Sequence, residues 1–141
     1  MWFNPIMKWL IRSPLHGFVS KSMLVIGYTG RKSGKRYETP VNYVRTGDDL
    51  LVTSRRNRTW WRNMLGGAPV TVWLRGKQIQ ANADAYSEQV DVTRYLQAYL
   101  DQVPQNARYF NVALDEQGHP ARSQVSQAAQ ERVIVRIHLP A

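Results

Sequence analysis

The chain has 141 residues, enough for one domain with its own core, and an apolar fraction of 43% with 11% aromatics excludes a disordered chain. The absence of cysteine excludes disulfides, thiolate metal sites and a cysteine nucleophile, and fits a reducing cytoplasm. With 19 Lys and Arg against 10 Asp and Glu, the net charge of +9 points to an anionic partner: nucleic acid, acidic lipid, or a small molecule bearing phosphate or carboxylate.

No apolar run approaches the roughly 20 residues that span a bilayer. The opening "MWFNPIMKWLIRSPLHG" also lacks a signal peptide's continuous apolar stretch and small-residue cleavage site. Residues 1–20 read as an N-terminal helical segment, with a short helix over 5–12 that has Asn4 as N-cap and Pro5 in its first position. Trp2, Phe3, Trp9 and Leu10 stand beside Lys8 and Arg12. Two readings stay open: a helix packed over the rest of the fold, or one that docks on an anionic membrane surface.

"MLVIGYT" (23–29) predicts a strand, "GRKSGKR" a glycine-framed tip, and "YETPVNYVR" (37–45) the returning strand. "TGDD" turns the chain into a third strand, "LLVTS" (50–54), so the pattern reads as a β-meander. "RNRTWWRNMLGG" (56–67) predicts a short helix closed by a glycine pair. "PVTVWLR" and "GKQIQANADAY" predict a hairpin turning near Gly76. Residues 88–103 predict the clearest helix, with Val92, Tyr95, Leu96, Tyr99, Leu100 and Val103 on one face and Pro104 at its end. A loop or short helix over 105–119, a helix over 121–131 and a closing strand over 132–139 follow. The mostly antiparallel pattern predicts one domain, 1–141, built as a small α+β barrel.

His16, His119 and His138 are far apart, so no protein metal site is expected. Neither GxSxG nor a Walker A loop is present. Anion binding and aromatics remain. Gly30 and Gly34 let the tip turn and expose N–H groups, Ser33 adds a hydroxyl, and Arg31, Lys32, Lys35 and Arg36 bring charge. Such a tip alone is more often only a solvated loop. A second basic and aromatic cluster, "SRRNRTWWRN" (54–63), offers convergence with it, and helical spacing puts Trp60 and Asn63 on one face. Trp60 and Trp61 are not expected to point inward together, so one of them packs in the core.

The stretch from "GYTGRKSGKRYETPVNYVR" through "SRRNRTWWRNMLGGAPVTVWLRG" resembles the deazaflavin (F420)-dependent nitroreductase family of split β-barrel flavin and deazaflavin oxidoreductases. The likeness is dense from about Ser13 through Tyr86. It implies a split β-barrel of the FMN-binding, pyridoxamine-phosphate-oxidase-like kind with flanking helices, usually homodimeric. It also implies coenzyme F420, a deazaflavin with a phosphate and a polyglutamate tail, which would explain the basic surplus. On that resemblance Arg31, Lys32, Ser33 and Gly34 hold the phosphate and tail, helped by Lys35 and Arg36, while Thr39 and Pro40 line the ring pocket. Ser54 and Arg55 match the family's Ser-Lys, Trp60 its pocket tryptophan, Trp61 an aromatic beside it, and Asn63 the end of the motif. Tyr37 stands where relatives often carry Arg.

The activity implied is hydride transfer from reduced F420 to a quinone, nitroaromatic or other conjugated acceptor, with Tyr99, Tyr109 and Phe110 on the substrate side and Tyr109 as the candidate hydrogen-bond donor. Tyr99 also belongs to the periodic helix face, where core packing is expected. A cytoplasmic location is expected, with membrane association if the N-terminal helix docks. An FMN-binding split barrel is the alternative, since a flavin phosphate also suits a basic tip. A nucleic-acid-binding barrel is a third reading; it requires aromatics on an exposed sheet face.

Overall fold

The computed structural model describes residues 23–140. The helix expected over 5–12, its membrane-facing reading and His16 lie outside the described residues. Seven strands follow in chain order: β1 (Met23–Thr29), β2 (Arg36–Asn42), β3 (Val44–Thr46), β4 (Asp49–Arg55), β5 (Ala68–Leu74), β6 (Lys77–Tyr86) and β7 (Arg132–His138). A 3-10 turn, Trp60–Met64, joins β4 to β5. Between β6 and β7 come helix α1 (Gln89–Gln102), a second 3-10 turn (Pro104–Phe110) and helix α2 (Arg122–Ala129).

All strand neighbours are antiparallel, in the order β2-β1-β5-β6-β7-β4-β3. The expected meander is therefore wrong in its middle. The strand expected over 37–45 divides at Tyr43, and its halves form the two outer strands of the sheet. A single residue joins those strands, and one residue of extended chain reaches only about 3.5 Å. The sheet must curl until its edges meet, which makes the α+β split β-barrel expected from the sequence.

The edges meet without a complete ladder. β4 pairs with β7 from Asp49 to Arg55 but with β3 only from Asp49 to Leu51. Its far end therefore faces the outer edge of β2, whose only ladder among the described residues is with β1.

Strand alternation sends side chains to opposite faces and gives the fold two apolar clusters. Leu24, Ile26, Leu50, Val52, Val72 and Val135 fill the barrel. Leu51 and Ile134 point outward beneath Val92, Leu96 and Leu100 of α1 and Val125 of α2. The predicted stripe of α1 is this contact: Val92, Leu96, Tyr99 and Leu100 are buried, with Tyr95 and Val103 half-buried at its margins. The β5–β6 hairpin turns as expected at Gly76. Arg75 and Gly76 have φ of 52° and 79°, the left-handed pair whose twist matches antiparallel strands.

Candidate functional site

The tip between β1 and β2 is a closed loop. The Gly30 N–H donates to the Lys35 carbonyl and the Gly34 N–H to the Gly30 carbonyl, both at 2.8 Å. A Cβ on Gly30 would stand 2.7 Å from Ser33 Oγ and 2.9 Å from the Tyr37 ring, so only glycine lets the loop close this tightly. Ser33 Oγ accepts from the Lys35 N–H at 3.2 Å and lies 3.3 Å from the Tyr37 hydroxyl. Tyr37, opposite Tyr28 in the ladder, stacks on it with centroids 5.7 Å apart, and Tyr28 in turn meets Trp60 at 6.1 Å.

The tip is tied to the tryptophan turn. The Arg31 N–H donates to Asn63 Oδ1 at 3.0 Å, and the Arg31 guanidinium donates to the carbonyls of Leu65 and Gly67. Asn63 Nδ2 donates back to the Trp60 carbonyl at 2.9 Å, while Trp60 Nε1 donates to Ser54 Oγ at 3.0 Å. Lys32, Ser33, Tyr28, Trp60, Arg62 and Asn63 thereby line one open cavity of about 470 Å³. The convergence of the two basic clusters is real.

Both tryptophans are interior: Trp60 is 6% exposed and Trp61 3%. The expectation that only one would pack inward fails because the 3-10 turn plugs the barrel end instead of lying flat on its surface. Trp60 is covered by Tyr28, and Trp61 by the Arg62 guanidinium 4.9 Å above its ring. Neither ring is therefore open to stack on a nucleic-acid base.

Other predicted residues go elsewhere. Arg36 lies across the outer face of the sheet, donating to Thr71 Oγ1 at 2.7 Å, and Thr71 Oγ1 donates on to Gln80 Oε1 at 3.1 Å. It lines an adjoining groove with Gly34, Pro69 and Gln80, which shares Gly30, Arg31 and Asn63 with the tip cavity. Lys35 is exposed beside the tip. Thr39 and Pro40, adjacent on a strand, face opposite ways and do not share a pocket. Thr39 is buried on the inner face beside Tyr28, whose phenol is pushed up by burial although the Thr39 hydrogen bond opposes this. Pro40 faces outward.

Outward of Pro40, at the split, lies a cavity of about 580 Å³ lined by Pro40, Thr53, Tyr99, Tyr109, Phe110 and Arg132, among others. The three residues expected on the substrate side do come together here. Tyr99 is 5% exposed and packs in the core as anticipated, its phenol pushed up by burial; its ring meets Phe110 edge-on at 6.0 Å. Tyr109 is 64% exposed, with Arg108 donating to its hydroxyl at 3.0 Å. Arg132, on β7, holds its guanidinium 4.6 Å over the Phe110 ring and was not anticipated from sequence. Its register partner on β4 is Arg55, exposed at the strand end. One arginine opening a strand has no distinguishing local pattern; the sheet register reveals it.

Comparison with known proteins places this geometry. Among curated proteins, none matches the chain. An F420-H2 dependent reductase superposes with a TM-score of 0.54 at 16% identity, over 82% of this chain and 94% of that one. A putative pyridoxamine 5'-phosphate oxidase from Listeria innocua gives 0.55 at 9% identity, over 85% of each chain. A structure described as a domain-swapped dimer gives 0.55 at 14% identity, over 85% and 82%. At such identities the likeness establishes the split-barrel fold. The family model for F420H(2)-dependent quinone reductases matches residues 14–115, a segment that holds the tip, the tryptophan turn and the lining of the split cavity apart from Arg132. The chain therefore belongs to the F420H2-dependent quinone reductase family and is an F420-dependent reductase.

Proposed function

We propose that this reductase passes a hydride from reduced F420 to a planar conjugated acceptor, a quinone or a nitroaromatic, at the split of the barrel. The carrying observation is the Arg31–Asn63 hydrogen bond, which seats a cationic loop over an aromatic-walled cavity. Phosphate and carboxylates suit Lys32, Ser33, Lys35 and Arg62. Arg31 is a positioning residue, because its guanidinium is spent on backbone carbonyls. Tyr28, Tyr37 and Trp60 supply an apolar wall, and Pro40 and Thr53 stand on the two strands that flank the split.

When bound, reduced F420 supplies the hydride. The chain's own task is to orient the acceptor and shield it from water. The Tyr99 and Phe110 rings offer an apolar shelf, and the exposed Tyr109 hydroxyl offers a hydrogen bond to an acceptor oxygen. A quinone that takes up a hydride becomes a hydroquinone anion and gains its second proton from solvent.

Titrating the protein with F420 and with FMN, followed by tryptophan fluorescence, tests the assignment. F420 should quench at micromolar concentration, and FMN more weakly. No response to F420 up to about 100 μM, a concentration at which even weak micromolar sites fill, overturns it. Homodimerisation is part of the proposal, supported by the dimeric state named for one similar structure; light scattering should give twice the monomer mass. Contact of residues 1–12 with anionic membrane is tested by liposome sedimentation with and without that segment.

A further inference from the structure

We propose that Arg132 makes the split cavity a site for planar aromatic anions, so that the acceptors favoured carry an ionised oxygen on the ring. The inference rests on reading that cavity as the acceptor site.

Three observations carry it. First, the guanidinium of Arg132 makes no hydrogen bond or ion pair with any described residue, although the side chain is half-buried against Phe110. Its donors therefore keep the capacity to bind a ligand. Second, the β4–β7 ladder sets Arg132 directly opposite Arg55. Like charges facing one another across a ladder repel, and burial together with Arg55 disfavours the charged form of Arg132. Glu131, the acidic neighbour whose field helps, is exposed and outside the cavity. No carboxylate stands among the described residues of the cavity lining. An anion placed there would relieve a repulsion that the fold otherwise carries.

Third, the lining selects the kind of anion. Tyr99, Tyr109 and Phe110 present aromatic surface, and no lysine lines the cavity. A bare phosphate would find little here, whereas a flat ring would stack while its oxyanion met the guanidinium fork. Arg132 stands on the closing strand, outside the residues 14–115 that the family model matches.

The test compares 2-hydroxy-1,4-naphthoquinone, ionised at neutral pH, with its neutral 2-methoxy analogue. Both are titrated into the cofactor-free protein and then used as acceptors with reduced F420. The ionised probe should bind about tenfold tighter, the size expected of one charge-assisted contact. Arg132→Gln should erase most of that ratio, and Arg132→Lys should keep part of it. Equal affinities in the wild type, or an unchanged ratio in Arg132→Gln, overturn the inference. Should Arg132→Gln not fold, Phe110→Leu, which removes the shelf beneath the guanidinium, must lower the ratio; an unchanged ratio there also overturns it. Reduction of the neutral quinone without any anion preference leaves the acceptor reading standing and sinks this one. A binding preference with no turnover of either probe does the reverse.

Discussion

The backbone N–H of Arg31 meets the side-chain oxygen of Asn63 at 3.0 Å, joining two segments 32 residues apart. Asn63 is already committed through its amide to the Trp60 carbonyl. Asn63 thus fixes the cationic tip relative to the aromatic plug together with the Arg31 guanidinium, which donates to the carbonyls of Leu65 and Gly67. Asn63→Ala should weaken F420 binding about five- to tenfold and lower stability by about 1 kcal/mol, the net worth of a hydrogen bond. Asn63→Asp keeps the acceptor for Arg31 but adds negative charge to the cavity, so it should bind F420 still more weakly. Fluorescence titration ranks the three proteins.

Arg31 and Lys32 are neighbours with different tasks. Lys32 is exposed, and its charge faces the cavity. Lys32→Glu should reduce F420 affinity and flatten its salt dependence while leaving the thermal midpoint within a degree or two, as exposed charge changes usually do. Arg31→Met should lower both affinity and midpoint, since two backbone carbonyls lose their donor. Equal midpoints for the two variants would contradict the positioning role.

The indole of Trp60 and the hydroxyl of Ser54 are both buried; the indole N–H donates to Ser54 Oγ, which donates on to the Arg55 carbonyl. Ser54→Ala strands the indole N–H and should cost about 1–3 kcal/mol. Trp60→Phe removes the donor and some packing. In the double variant the combined loss should be smaller than the sum, and a thermodynamic cycle by denaturant unfolding measures the difference.

Acid stability should depend on Asp49. Burial pushes its carboxyl up, but hydrogen bonds from His138 at 2.6 Å and Arg136 at 2.7 Å outweigh this, and the net shift is downward. A depressed folded-state value stabilises the protein above the unfolded carboxylate value of about 3.9, and the contribution fades as pH falls through the folded value. Asp49→Asn should therefore melt lower than wild type at pH 7, with the gap closing between about pH 5 and 2. A gap constant across that range would refute the assignment.

Much of the fold was legible in the chain. β1, β4, β7 and α1 follow their apolar periods because each element covers an apolar cluster and must present one face to it. The turn at Gly76 was legible because a tight hairpin needs left-handed backbone there. The buried pairing of Trp60 with Trp61 was not, because a 3-10 plug has no period that a surface helix shares.

By itself the sequence determined the elements, the cationic tip, the motif that carries the family resemblance and the large positive charge, since these reside in residue type and local spacing. The tertiary structure alone decided which residues meet. Sheet order sends β2 and β3 to opposite edges, and the one-residue link at Tyr43 then forces the curl. Strand pleat parts Thr39 from Pro40, and register sets Arg55 against Arg132. These relations depend on pairings between distant segments, whose energies are settled only when the whole sheet closes.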